Sequence, residues 1–216
     1  MSELYTNNLD LYSNLTAYGH FCPTKLRIRN TEKFVSWTEE NFTYVRYNPR
    51  KPIERYGLSI TSLDGGLSGN PDLDSLPEYN KENNTYLHET DFNVPTPVYH
   101  YPELKVILDP IKDSLCRSHV LRIDPSGYFP PHRDYRRDVF NTFRLLIPLT
   151  NMDPPRHNFV LEDKIMRWEQ GAMYFVDTAR MHYLFNASFE PTYMIVINAR
   201  LNTTTVNYVL NNLSDK

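Results

Sequence analysis

Apolar residues in this chain gather in short runs cut by Pro, Asn and Asp, and short runs bounded by turn residues predict strands. The runs fall at 26–29, 42–47, 55–62, 120–123, 142–149, 158–161, 164–168, 172–176, 183–185 and 193–199. Two stretches carry helical spacing instead. In 31–40, Asn30 or Thr31 offers a cap, acids follow, and Phe34 and Trp37 share a face. In 102–109, Pro102 lies in the first turn, and Pro110 divides the helix from 111–115. Leu63-Asp64-Gly65-Gly66 and Pro125-Ser126-Gly127 are turn signals, and the tail 203–210 fits a short helix or a strand. Residues 1–25 show weak periodicity and predict no element.

Regularly spaced short strands in the second half favour a sandwich or jelly roll. The expected fold is mainly β with flanking helices. It forms one domain over 1–216, with a core at 116–200 and flanking strands and helices at 1–115. The least regular region is 66–97, rich in Asn, Pro, Asp and Glu. A connection this long is either functional or mobile. It is read as a lid over the open end of a barrel or as a surface excursion, with His88 an exposed loop histidine.

Composition narrows the class. The 216 residues carry a formal net charge of −3, so no global basic field argues for nucleic acid. Sixteen prolines and sixteen tyrosines argue against an all-helical protein. Cys22 and Cys116 are too few for a disulfide framework and read as free thiols of a reducing compartment. The N-terminus has neither the basic nor the apolar part of a signal peptide, and no apolar run reaches the ~18 residues of a membrane span. The expectation is a cytoplasmic protein. Asn41-Phe42-Thr43 and Asn186-Ala187-Ser188 are then chance triplets rather than glycosylation acceptors.

The chemistry-bearing stretch is Pro130-Pro131-His132-Arg133-Asp134. In extended chain, residues two apart project to one side, so an imidazole and a carboxylate reach one point. A further histidine would complete the two-His-one-carboxylate set that holds Fe(II) on one face. His182 is the candidate, because the buried run 172–176 leads into Asp177-Thr178 and a return strand can bring it beside His132. Asp177 is read as a turn residue, or one that orients His182.

From Val120 to Arg200 the chain resembles the aspartyl/asparaginyl β-hydroxylase-like branch of the 2-oxoglutarate/Fe(II) oxygenases, which includes small bacterial proline hydroxylases. The resemblance rests on Leu121-Arg122-Ile123, Pro131-His132-Arg133-Asp134, the run Phe143 to Asn151, the run Gly171 to Thr178, His182 and Asn186-Ala187-Ser188. It implies a double-stranded β-helix, iron held by His132, Asp134 and His182, and oxidative decarboxylation of 2-oxoglutarate by O2 coupled to hydroxylation of an amino acid or peptidyl side chain. The distal carboxylate of 2-oxoglutarate calls for a buried guanidinium, which in that family follows the distal histidine by about ten residues. Here that neighbourhood is Phe189 to Met194, with no arginine. Arg144, on an apolar strand and matched in the family, is the first replacement. Arg122 is the second and Arg200 the third. Tyr128 and Tyr135 flank the metal loop; Tyr174 and Tyr183 are read as packing. Arg133, Arg136 and Arg137 form a basic cluster that would draw an anionic substrate. Two readings stand beside this one: a metal-dependent cupin-type enzyme that does not use 2-oxoglutarate, and a non-catalytic jelly-roll binding module.

Overall fold

The structure, a computed structural model, describes residues 2–134 and 141–214. Its frame is a jelly roll. Strands β6 (His119–Ile123), β7 (Tyr128–His132), β8 (Thr142–Pro148), β9 (His157–Leu161), β10 (Lys164–Ile165), β11 (Ala172–Val176), β12 (His182–Asn186) and β13 (Thr192–Arg200) pass back and forth between two antiparallel sheets. Strands β6, β8, β11 and β13 enter the larger sheet, and β7, β9, β10 and β12 make the smaller, in the order β10-β9-β12-β7.

The half before residue 116 is more than a flank. Strands β1 (Phe21–Arg27), β2 (Val45–Arg46) and β3 (Arg55–Ser59) extend the larger sheet to seven strands, in the order β1-β11-β8-β13-β6-β3-β2. The predicted strand 26–29 is displaced to β1, and 42–47 shrinks to β2. The strand 55–62 divides into β3 and β4 (Thr61–Ser62), which pairs with β5 (Val94–Pro95). A helix that weak periodicity did not predict, α1 (Ser2–Thr16), precedes β1, and the tail resolves as α5 (Thr203–Asn211). Helix α2 (Thr31–Asn41) forms as predicted: the Asn30 side chain accepts from the Lys33 amide at 3.0 Å. Helix α4 (Pro102–Leu108) also forms and gives way to a 3₁₀ turn at Pro110.

Both faces of the larger sheet are buried, which is why β8 reads as one apolar run. Phe143, Leu145 and Ile147 join the cluster under the helices, with Phe34, Leu104 and Val206. The alternate positions face the barrel interior, where Leu146 joins Leu121, Phe159, Leu184 and Met194. Arg144 shares the interior face with Leu146. Charge on that face is costly unless paired, so its partners locate the site.

The stretch 66–97 is built into the wall of the barrel mouth. It carries α3 (Leu76–Asn83) and buries Leu73, Leu76 and Phe92. Arg117 latches it from beneath: Nε donates to the Asp72 carbonyl at 2.6 Å, Nη2 to the Asp74 carbonyl at 2.8 Å, and Nη1 to Glu89 at 2.9 Å. His88 is exposed, as expected.

Candidate metal centre

Two prolines set up the site. β7 is an edge strand of the smaller sheet, where proline is tolerated. Pro130 and Pro131 have no N–H, so the ladder to β12 cannot run through them. The register accordingly slips, from Leu184 opposite Phe129 to His182 opposite His132. The slip places the two histidines side by side, with ring centroids 4.2 Å apart.

Neighbouring turns hold this register. The β6–β7 turn closes with the Gly127 amide on the Asp124 carbonyl at 2.8 Å, and a Cβ on Gly127 would lie 2.2 Å from the Glu54 carbonyl oxygen, so only glycine fits. Asn186, fully buried at the end of β12, donates from Nδ2 to the Ile123 and Glu190 carbonyls and accepts from the Ser188 amide. Its side chain is spent inside the fold, which removes it as a glycosylation acceptor. Beyond β7, the Asp134 amide donates to the Thr178 carbonyl at 3.0 Å and ties the loop to the turn after β11.

The structure brings His132, Asp134 and His182 together, each offering one ligand atom, all within 4.8 Å of one another. Asp134 Oδ1 lies 3.7 Å from His132 Nε2 and 3.9 Å from His182 Nε2. Both rings are oriented from behind. His132 Nδ1 is 2.8 Å from the Pro130 carbonyl and His182 Nδ1 is 2.9 Å from the Arg180 carbonyl. A carbonyl only accepts, so each Nδ1 carries the proton and each Nε2 turns a lone pair toward the shared point. Burial holds the His182 pKa below the usual imidazole value, which keeps the ring neutral. For Asp134 burial alone acts upward. The charge of Arg144, together with a bond from Thr178, acts the other way, and the carboxyl stays below its ordinary range. Two neutral imidazoles and one carboxylate with fixed backs fit a divalent cation of borderline hardness, with the remaining positions open toward the cavity.

Arg144 is at the site with its guanidinium engaged. Nε donates to Asp134 Oδ2 at 3.1 Å, and Nη1 stands 3.8 Å from Glu89 Oε2. Burial favours loss of its proton, but the two carboxylates more than compensate and its pKa is raised. Glu89 is the hub: it also takes Arg117 and, at 2.9 Å, the Asn198 amide. Neither Glu89 nor Arg117 stood out in the sequence, since one lies in a stretch without period and the other between elements.

Arg122 is not brought to the site. Leu121 and Ile123 on the same strand face the interior, so Arg122 faces out, where it pairs with Asp124 at 2.7 Å and Glu39 at 3.3 Å. Arg200 ends β13 exposed. Asp177 does not touch His182; it accepts from Tyr12 Oη at 2.5 Å, His20 Nδ1 at 2.9 Å and Arg180 Nε at 3.2 Å, pinning α1 to the turn that carries His182. Tyr174 packs in the interior, Tyr183 lines the inner chamber and Tyr128 is exposed. Arg133 is exposed on the rim, while Tyr135, Arg136 and Arg137 lie outside the described residues. Where an arginine was expected after His182, Thr192 is buried with its hydroxyl 3.2 Å from His157 Nδ1. Burial pushes His157 down to about 4, so this pair is neutral.

No family model and no curated protein matches the chain. Solved structures do. SnoN, a non-heme α-ketoglutarate-dependent epimerase from nogalamycin biosynthesis, is 10% identical, with 89% of this chain and 82% of that one covered and a TM-score of 0.50. An oxidoreductase of the 2OG-Fe(II) oxygenase family from Burkholderia pseudomallei is 12% identical, with 90% of each chain covered and the same TM-score. At such identities the likeness is one of fold, and it agrees with the strand order above.

Proposed function

We propose that this protein is an Fe(II)- and 2-oxoglutarate-dependent dioxygenase that hydroxylates an amino acid or a peptidyl side chain. The observation that carries the reading is the convergence of His132 Nε2, His182 Nε2 and an ionised Asp134 with both Nδ1 atoms committed to carbonyls. Those three residues would hold the metal. When bound, it would supply the centre at which 2-oxoglutarate, O2 and a substrate C–H bond give succinate, CO2 and the alcohol, one oxygen atom entering succinate and the other the substrate. Behind them Leu121, Leu146, Met194 and Val196 give the chamber an apolar wall against which a substrate C–H bond can lie. Arg144 keeps Asp134 anionic and adds positive charge at the mouth. The motif order from Leu121 to Ser188 supports the aspartyl/asparaginyl hydroxylase-like branch, and the overlays with SnoN and the Burkholderia protein supply the fold on which this chemistry can be mounted.

One observation favours a second reading, a metal-dependent cupin-type enzyme without 2-oxoglutarate. The base of the barrel holds the neutral His157–Thr192 pair where the family pattern places an arginine. The test separates the two. Protein loaded with Fe(II) is supplied with 2-oxoglutarate under air and under argon. Oxygen-dependent succinate, absent in His182→Ala, is the expected result. Iron uptake with no keto-acid consumption under any condition replaces the first reading with the second.

A further inference from the structure

Arg55 is a buried cation with no counterion among the described residues. It opens β3 and lies opposite Ile123 of β6, on the face that looks into the barrel, and is 5% exposed. Among the described residues one of its five N–H donors makes a hydrogen bond, Nη1 to the Tyr128 carbonyl at 3.4 Å, and Nε has no partner. The guanidinium carbon stacks 4.1 Å from the Phe129 ring centroid and 5.4 Å from that of Tyr47. Every other buried arginine near the mouth is paired: Arg117 with Glu89, and Arg144 with Asp134 and Glu89. Among the described residues no carboxylate reaches Arg55.

Leaving a guanidinium buried and unpaired costs stability, and aromatic stacking offsets part of that cost without using the donors. A charge kept in that condition is free for a ligand. Arg55 lines a cleft of about 910 Å³ that also contains His132, Asp134 and Arg144. That volume suits a small molecule. Phe129 links the two ends: one neighbour is the Arg55 guanidinium, and its ring centroid is 6.2 Å from that of His132. A ligand of a few carbons whose one end lies at the metal loop can therefore put its other end on Arg55.

We infer that Arg55 is the seat for a carboxylate of the small molecule handled at the His132–Asp134–His182 centre. A carboxylate there accepts the free Nε and Nη hydrogens in the paired fashion that guanidinium favours. Two sources share this chemistry: the distal carboxylate of a 2-oxo dicarboxylic acid and the carboxylate of an amino-acid substrate. The identification of the centre rests on the proposed function; the seat itself does not, because Arg55 is not among the metal-facing side chains.

Calorimetry on Mn(II)-loaded wild type, Arg55→Met and Arg55→Lys tests it, each variant first confirmed folded by circular dichroism. In the first arm 2-oxoglutarate is compared with 2-oxopentanoate, which lacks the distal carboxylate. About 10- to 100-fold tighter binding of 2-oxoglutarate in the wild type, lost in Arg55→Met and partly kept in Arg55→Lys, assigns the seat to the cosubstrate. In the second arm the twenty proteinogenic amino acids and their amides are screened with 2-oxoglutarate saturating. An acid-over-amide preference that disappears in Arg55→Met while 2-oxoglutarate affinity holds assigns the seat to the substrate. Metal-free protein titrated with glutarate isolates the seat from the metal: Arg55-dependent glutarate binding in a protein that takes up no metal upholds the seat and overturns the proposed function. No Arg55-dependent difference in any of the three titrations overturns the seat.

Discussion

His182 stands directly opposite His132 across the β7–β12 pair, its Nδ1 held by the Arg180 carbonyl as the Nδ1 of His132 is held by Pro130. The pairing is tertiary, since fifty positions of chain separate the two. It rests on the register slip at Pro130 and Pro131 and makes a pair of rings into a chelate with a fixed bite.

A metal that binds this chelate stabilises the folded state by mass action. At a hundredfold excess over Kd the gain is about 2.7 kcal/mol, or several degrees in Tm for a chain of this size. Differential scanning fluorimetry with Mn(II) or Fe(II) should show that rise in the wild type and lose it in His132→Ala. His132 is half-exposed, so that variant should keep the metal-free Tm within a degree or two.

Arg144→Met removes the cation that holds Asp134 ionised. The Asp134 pKa then rises, protons compete with metal at a higher pH, and the pH of half-maximal Mn(II) binding should move up. Glu89 keeps Arg117 and Asn198, so the fold should survive. The half-saturating 2-oxoglutarate concentration should rise sharply in the same variant. An unmoved metal-binding profile would mean that Arg144 is not the group that tunes Asp134.

Acid should unfold the protein partly through His157. Its folded pKa, about 4, lies below the unfolded value near 6.5, so the unfolded state takes up the proton first as pH falls. The contribution is fully present above pH 6.5 and is lost on the way down to 4, about 3 kcal/mol in all. The fully buried His119, pushed down by burial with Arg117 and Arg144 adding to it, acts in the same direction. Urea melts at pH 7 and pH 5 should show the loss, and His157→Gln, an uncharged replacement able to meet the Thr192 hydroxyl, should flatten it.

Arg117→Met cuts the latch under the mouth wall. Two carbonyls, of Asp72 and Asp74, and one oxygen of Glu89 lose their donor in a buried place. Roughly 3 kcal/mol of stability should go. Limited proteolysis should then cut within 66–97 well before the barrel. Cleavage at the wild-type rate would show that Arg117 does not anchor that wall.

Much of this protein was legible along the chain because it depends on near neighbours. The β8 run is apolar throughout since both of its faces are covered, and Asn30 caps α2 from one residue away. His132 and Asp134 face one point by extended-chain geometry alone, and the run 172–176 pointed to His182 by leading into a return. By contrast α1 was missed because its apolar positions keep no steady helical spacing, yet Leu11, Tyr12 and Leu15 in its second half suffice once Phe175 and the helix layer receive them. The stretch 66–97 had no period because backbone capture by Arg117, rather than an amphipathic face, keeps it in place.

The chain alone thus marked seven of the eight core strands, the ligand types and their spacing, all set by local periodicity and turn chemistry; β7, interrupted by Pro130 and Pro131, carried no strand pattern of its own. What a cation does was decided only in three dimensions. Arg122, Arg144 and Arg55 each sit on a strand, and although the apolar run around Arg144 marked it out, nothing local fixed which cation reaches the site. Strand pairing turned the first outward to Glu39 and Asp124, aimed the second at Asp134, and sealed the third against Phe129 with most of its donors unspent among the described residues. Charge is carried by the residue, but its partner is chosen by register, and register is a property of the folded sheet.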